Sequence, residues 1–275
     1  MGETMSIFQT ALPMVIYFAI LIFVIDIMRK HYRFANIFWM ASLLTFPLWL
    51  MNVEGWFRWV KILSVILPLI FVGFARIANY EAKTGWWTKL RQDWIYWFLY
   101  SILFLNILEA TVKDVSLGNY WNALCGFILC ATIPYAPKYW AILREKHGDL
   151  IAYTPPAWNL LYTSWNACFV YAESPVYFAS SVCILLAAEL YPVIKKRPEL
   201  YIMARVYTLG FHLLLRASFD IFPKVMDSSS WYDPVVLKTW GIVNVVFHIP
   251  FLFWYTWQLH TGKFGTKVAA RNVTA

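Results

Sequence analysis

Charged side chains are scarce in this sequence: Asp, Glu, Lys and Arg together make up 14% of its 275 residues, whereas 61% are hydrophobic. No soluble core of that size absorbs so much apolar surface, so lipid is the expected solvent for most of the chain. The mean hydropathy of +0.56 points the same way. Cysteine is sparse as well. Cys125, Cys130, Cys168 and Cys183 lie inside apolar runs without CxxC spacing, which argues against zinc and structural disulfides and for buried, unpaired thiols. Large soluble domains, linkers and low-complexity tracts are missing. So are the metalloprotease HExxH, the nucleophile elbow and the P-loop. The net charge of +8 comes with no basic helix or RNA-type aromatic motif, so nucleic acid is not an expected partner.

What remains is apolar and aromatic. Sixteen Trp within a 20% aromatic content fit interfacial belts at two membrane faces. Apolar runs between charged or Pro/Gly-rich breaks predict an all-α, polytopic transmembrane bundle forming a single domain over 1–275, with about nine spans. They cover 7–28, 34–52, 60–79, 94–112, 117–134, 157–173, 175–194, 200–223 and 235–259, and 260–275 forms a tail. The count falls to eight if the sixth and seventh, meeting at Ser174-Pro175, form a re-entrant pair.

Loop charge sets an orientation. With the N-terminus outside, the inward segments carry sixteen Lys and Arg, including Lys263, Lys267 and Arg271 of the tail. The outward ones carry four: Arg58, Lys61, Lys113 and Lys224. The positive-inside rule therefore predicts an integral protein of the plasma (inner) membrane, N-terminus outside and C-terminus cytoplasmic. No basic n-region or small-residue cleavage site precedes the first run, so no cleavable signal peptide is expected. Met1-Gly2 with Ser6 fits an acylation pattern that an external N-terminus would never present to the transferase. Asn272-Val-Thr274 is a sequon on the wrong side of the membrane.

Ionisable residues inside spans are costly and mark candidate sites. The eighth span brings Tyr201, Arg205, Thr208, His212, Arg216 and Asp220 within an arc of about 120°, leaving the other side apolar and facing lipid. Arg216 and Asp220, four apart, can form an internal ion pair, or Arg216 can hold an anionic group while Asp220 titrates. The sixth span aligns Asn159, Tyr162, Asn166 and Glu173, flanked by Trp158 and Trp165; packing glue and ligand contact both explain such a stripe. In the fourth, Glu109 either pairs with Lys113 or stands as a protonated carboxyl. In the ninth, Asn244, His248 and Tyr255 share a face below Lys238, with Pro250 able to kink the helix beside them. Single histidines on separate spans usually hydrogen-bond inside a bundle, so His212 and His248 are not expected to hold a metal or haem, and no motif identifies a cofactor. Asp26, Glu189 and Arg76 read as inner-end anchors.

Glu109, Asn166, Glu173, Arg216, Asp220, Lys238 and Asn244 all map to the outer half. They predict a polar cavity opening outward, walled by Tyr162, Trp165 and Trp240. The expected partners are the bilayer and a small-molecule or lipid-like ligand. The preferred reading is a membrane-embedded enzyme with Glu109 or Asp220 as general acid and Arg216 holding a phosphate or carboxylate. Tyr162, Trp165, Asn166, Glu173, His212, Asn244 and His248 would contact the substrate. A small-solute or proton-coupled carrier using the same carboxylates is the alternative, and a ligand-binding sensor the third. Short loops leave a sensor little surface, and the lack of a visible repeat or Gly-rich half-helices weighs against a carrier. The run Asn159-Leu-Leu-Tyr-Thr-Ser-Trp165-Asn166, with Phe169-Val-Tyr171-Ala172, resembles a segment of small polytopic terpene cyclases. Asn166 stands where that family has its carboxylate and the span count differs, so no role is carried over.

Overall fold

The computed structural model describes residues 7–144 and 146–261. The Met1–Ser6 pattern, the tail cations and the Asn272 sequon lie outside them. The structure is 82% helical, with eleven α-helices among the described residues. They are α1 (Ile7–Lys30), α2 (Tyr32–Ser42), α3 (Phe46–Asn52), α4 (Trp56–Tyr80), α5 (Trp94–Ser116), α6 (Tyr120–Ala131), α7 (Pro156–Glu173), α8 (Phe178–Ile194), α9 (Tyr201–Phe219), α10 (Phe222–Met226) and α11 (Pro234–His260). Six helical segments among the described residues are long and apolar enough to cross a membrane: 9–30, 32–52, 58–80, 94–116, 175–194 and 234–260. These are compatible with an integral membrane protein. The four cysteines are free and buried.

Local chemistry explains the breaks. The second run is not one helix: Pro47 has no N–H to give, so α2 tightens through a 3₁₀ turn at Leu43–Thr45 and α3 starts afresh. Thr45 Oγ1 closes that turn on the Ser42 carbonyl at 2.6 Å. α6 has only 12 residues, about 18 Å of rise, because Pro134 stops it early. α11 runs helically past Pro250. α7 and α8 form an antiparallel hairpin, bridged midway by the Thr163 hydroxyl donating to Glu189 at 2.9 Å.

α9 is central, packed on α1, α3, α4, α8 and the strand β2 described below. Of its residues only Phe219 is exposed, and Phe211 and Leu215, four apart on the same face, are half-buried, so the broad apolar outer side expected of this helix narrows to a stripe. Gly210 makes the close packing possible. A Cβ there would stand 2.3 Å from Leu69 and 3.1 Å from Trp39. At its far end α9 is held by Asn52, whose amide donates to the Ala217 and Ser218 carbonyls at 3.3 and 2.8 Å and satisfies groups a helix C-terminus leaves open.

The link between α6 and α7 is no plain basic loop. It folds into an antiparallel hairpin, β1 (Trp140–Ile142) with β2 (Leu150–Ala152), whose residues are all buried. Beside it Asp149 is fully buried and accepts from Arg29 Nε at 2.9 Å and Nη2 at 3.0 Å, and from Arg197 Nη1. Arg76, also fully buried, donates to the carbonyls of Met28, Arg29, His147 and Gly148 and to the Tyr207 hydroxyl oxygen. It thereby caps α1 and fastens α4, α9 and the hairpin turn together. Lys146, His147 and Gly148 take left-handed φ values of 52°, 64° and 65° to present those carbonyls. Asp26 sits nearby but pairs with Lys30 and Lys195 rather than Arg29.

Asp149→Asn strands the Arg29 guanidinium in a dry environment and leaves Arg197 only its Glu199 partner, which costs about 3–5 kcal/mol. Its thermal midpoint in detergent should fall clearly, whereas Asp26→Asn, in a partly exposed cluster, should cost about 1 kcal/mol or less. Equal effects would remove the buried cluster from its anchoring role.

Candidate functional site

Opposite the Asp149 cluster, the bundle encloses a cavity of about 180 Å³. Its walls come from α4, α5, α7, α8, α9 and the α3–α4 link, and exposed Asn52 and Arg58 lie on its rim. Six of the ten residues expected at the site line it: Tyr162, Asn166 and Glu173 from α7, His212 and Arg216 from α9, and Asp220 just beyond. The α7 trio recurs within about 60° at 100° per residue, so one helix face supplies all three.

Asp220 does not continue the α9 face. It ends the helix in the left-handed region, φ 44° and ψ 45°, a conformation that Asp tolerates better than most residues. The expected Arg216–Asp220 ion pair is therefore absent among the described residues. Tyr177 stands between them: its hydroxyl donates to Asp220 Oδ1 at 2.5 Å, and the Arg216 guanidinium lies 3.5 Å from its ring centroid. His212 is buried mid-cavity, with the Tyr17 hydroxyl 3.2 Å from Nδ1 and its ring stacked on Phe222 at 4.5 Å.

Glu109 is adjacent rather than lining. Its partner is Lys61, at 3.0 Å, and not Lys113. α4 begins at Trp56, so Lys61 is not a loop cation but a second-turn residue that reaches across to α5, where Asn106 Oδ1 also accepts from it at 3.2 Å.

Trp165, Asn244 and His248 belong elsewhere. Asp114, fully buried, accepts from the Asn119 and Asn122 amides at 2.8 and 2.7 Å. Asn122 Oδ1 in turn accepts from Asn244 at 3.0 Å, and Asn244 Oδ1 from Ser164 at 2.7 Å. Trp240 Nε1 reaches Ser164 Oγ at 3.1 Å, and His248 Nδ1 lies 2.7 Å from the Asn244 carbonyl oxygen. Trp165 stacks between Tyr162 and Phe169, and its carbonyl accepts from Asn122. This network joins α5, α6, α7 and α11, and α11 contributes nothing to the cavity. Lys238 is exposed. Phe169 and Tyr177, not Trp165 and Trp240, complete the aromatic wall with Tyr162.

No known protein family matches the chain, and no curated protein or solved structure does. Chemistry must therefore be read from the cavity itself. It holds cations at both ends, Arg205 at one and Arg216 with Arg58 at the other, and carboxylates, Glu173 and Asp220, at the Arg216 end. Arg205 was readable from its place on the α9 arc, but its depth placed it with the inner loops. Tyr177 carries no sequence signal beyond being one aromatic among many.

The Tyr177–Asp220 bond is open to a double-mutant cycle. Tyr177→Phe and Asp220→Asn, singly and together, should couple by about 0.5–3 kcal/mol in detergent unfolding. Asn244→Ala should destabilise by about 1–3 kcal/mol through stranded partners while leaving the cavity's ligand affinity unchanged.

Proposed function

We propose that this chain is a plasma-membrane protein crossing the bilayer nine times, N-terminus outside, and that its cavity performs acid–base chemistry on an amphiphilic small molecule. The observation that carries the chemistry is the Tyr177 hydroxyl donating to Asp220 while the Arg216 guanidinium lies over the Tyr177 ring at the cavity wall. Asp220 serves as the acid–base group. Tyr177 relays the proton to and from the bound molecule, and Arg216 offsets negative charge that develops on the phenol oxygen. Glu109 has a lesser claim: it is ion-paired with Lys61 and stands outside the cavity lining.

Nine helical segments coincide with the nine apolar runs, counting α2 and α3 as one, and the basic residues between them support the orientation. On that orientation the cavity rim at Asn52 and Arg58 faces outward. The carrier reading rests on the same carboxylates. It requires the opposite end to open in turn, and there the Arg76 and Asp149 clusters join four elements through buried charges that are expensive to separate. This favours the enzyme.

Two measurements test the proposal. A cysteine at Asn52 should react with a membrane-impermeant maleimide on intact cells, and one at Glu81 should not; the reverse pattern inverts the topology. Purified protein in nanodiscs, incubated with a lipid extract, should generate a new species by mass spectrometry that Asp220→Asn reduces at least about a hundredfold, in line with loss of a general acid. Asp220-dependent flux of a solute into proteoliposomes without a product would replace the enzyme by a carrier.

A further inference from the structure

Arg205 is buried to 4% exposure yet incompletely satisfied. Nη2 donates to Asn166 Oδ1 at 3.0 Å and the guanidinium lies 5.9 Å from the Tyr162 ring centroid, but Nε and Nη1 have no hydrogen-bond partner among the described residues. Arg29 and Arg76, equally enclosed, are met by a carboxylate or by carbonyls. An enclosed guanidinium without an anion is costly, and the cost is recovered when a ligand supplies the oxygens. No carboxylate lies within ion-pair distance of Arg205 among the described residues. Glu189, behind it, is engaged by Thr163 and does not line the cavity. Glu173 and Asp220 belong to the other end, since Arg216 is eleven residues along α9, about 16 Å of helix rise.

Arg205 also stands at a junction. A second cavity, about 70 Å³, shares Asn106, Tyr162, Arg205 and Leu209 with the first. Apart from Ser64, its remaining walls are apolar, among them Val65 and Val72 of α4, Leu99 and Leu103 of α5, Val206 of α9, and Trp140 of the hairpin. Arg205 is its one charged lining residue among the described residues. The chain thus sets a buried half-satisfied cation between a polar chamber and an apolar slot.

We infer that the molecule taken up is an anionic amphiphile. Its carboxylate or phosphate oxygens complete Arg205 beside Asn166, its hydrocarbon chain occupies the slot between α4, α5 and α9, and its reacting part extends toward Tyr177 and Asp220. This names the substrate class of the proposed site and rests on that reading, but binding is measured apart from turnover.

The test is isothermal titration of the protein in a neutral detergent with octanoate and octyl phosphate. Octanol, octyltrimethylammonium, acetate and inorganic phosphate serve as matched probes. Both octyl anions should bind at least about tenfold more tightly than octanol and the octyl cation, and than the chain-free anions. Arg205→Gln should remove roughly a tenfold factor or more for the octyl anions, with Arg205→Lys in between, and Leu103→Trp should erase the advantage of octyl phosphate over phosphate. Equal binding of octanol and octanoate to the unaltered protein overturns the anion site, whether or not Arg205→Gln folds. Equal binding of phosphate and octyl phosphate overturns the slot. If the octyl anions bind as expected but Asp220→Asn leaves product formation unchanged, the acid–base reading falls and the substrate class stands.

Discussion

A guanidinium or carboxylate removed from water has to be met by partners, and in this fold that demand is answered most completely at Arg76. Its donors reach the end of α1, the turn of the β-hairpin and the Tyr207 hydroxyl of α9, while its own backbone belongs to α4. Asp149 adds Arg29 and Arg197 to the same end. Four elements that could slide past one another are thereby held in register. The hairpin, whose irregular backbone would be intolerable against lipid, is acceptable because it is wrapped in protein and paired with itself.

With that end closed, the polar residues of the remaining bundle fall into two systems separated by α7. Tyr162, Asn166 and Glu173 look into the cavity. Ser164, about 200° round the helix from Tyr162 at 100° per residue, looks away to Asn244, Trp240 and the Asp114 network. The first system has cations in excess and leaves Arg205 Nε and Nη1 without partners among the described residues; the second is bonded in series from Asp114 through Asn122 and Asn244 to Ser164, with His248 Nε2 and Trp165 Nε1 left open at its edges. Asn244 and His248, polar and at plausible depth, belong to the second system and lie outside the cavity lining.

The cavity's two ends differ in chemistry as well. Near Arg216, opposite charges and a phenol stand close enough to exchange a proton. Near Arg205 a lone cation faces an apolar slot. α9 carries both cations and sets the distance between these two ends.

The amino-acid sequence by itself determined the all-helical class, the positions of the nine helical segments and the polar arcs of α7 and α9, because apolar runs and the 100° helical period are local properties. The same period brought six of the ten expected residues to the cavity wall. Tertiary structure alone decided which arcs face each other. Glu109 found Lys61 rather than Lys113, since the neighbouring helix brought a cation closer than its own next turn. Asp220 left its predicted face because α9 ends one residue earlier. The apolar outer side of α9 narrowed because Gly210 lets α2 and α4 pack closely against it. The hairpin, invisible to a search for long apolar runs, exists because Asp149 and the hairpin-turn carbonyls had buried arginines to satisfy. Pairings of this kind depend on which helices are neighbours, and no local pattern carries that information.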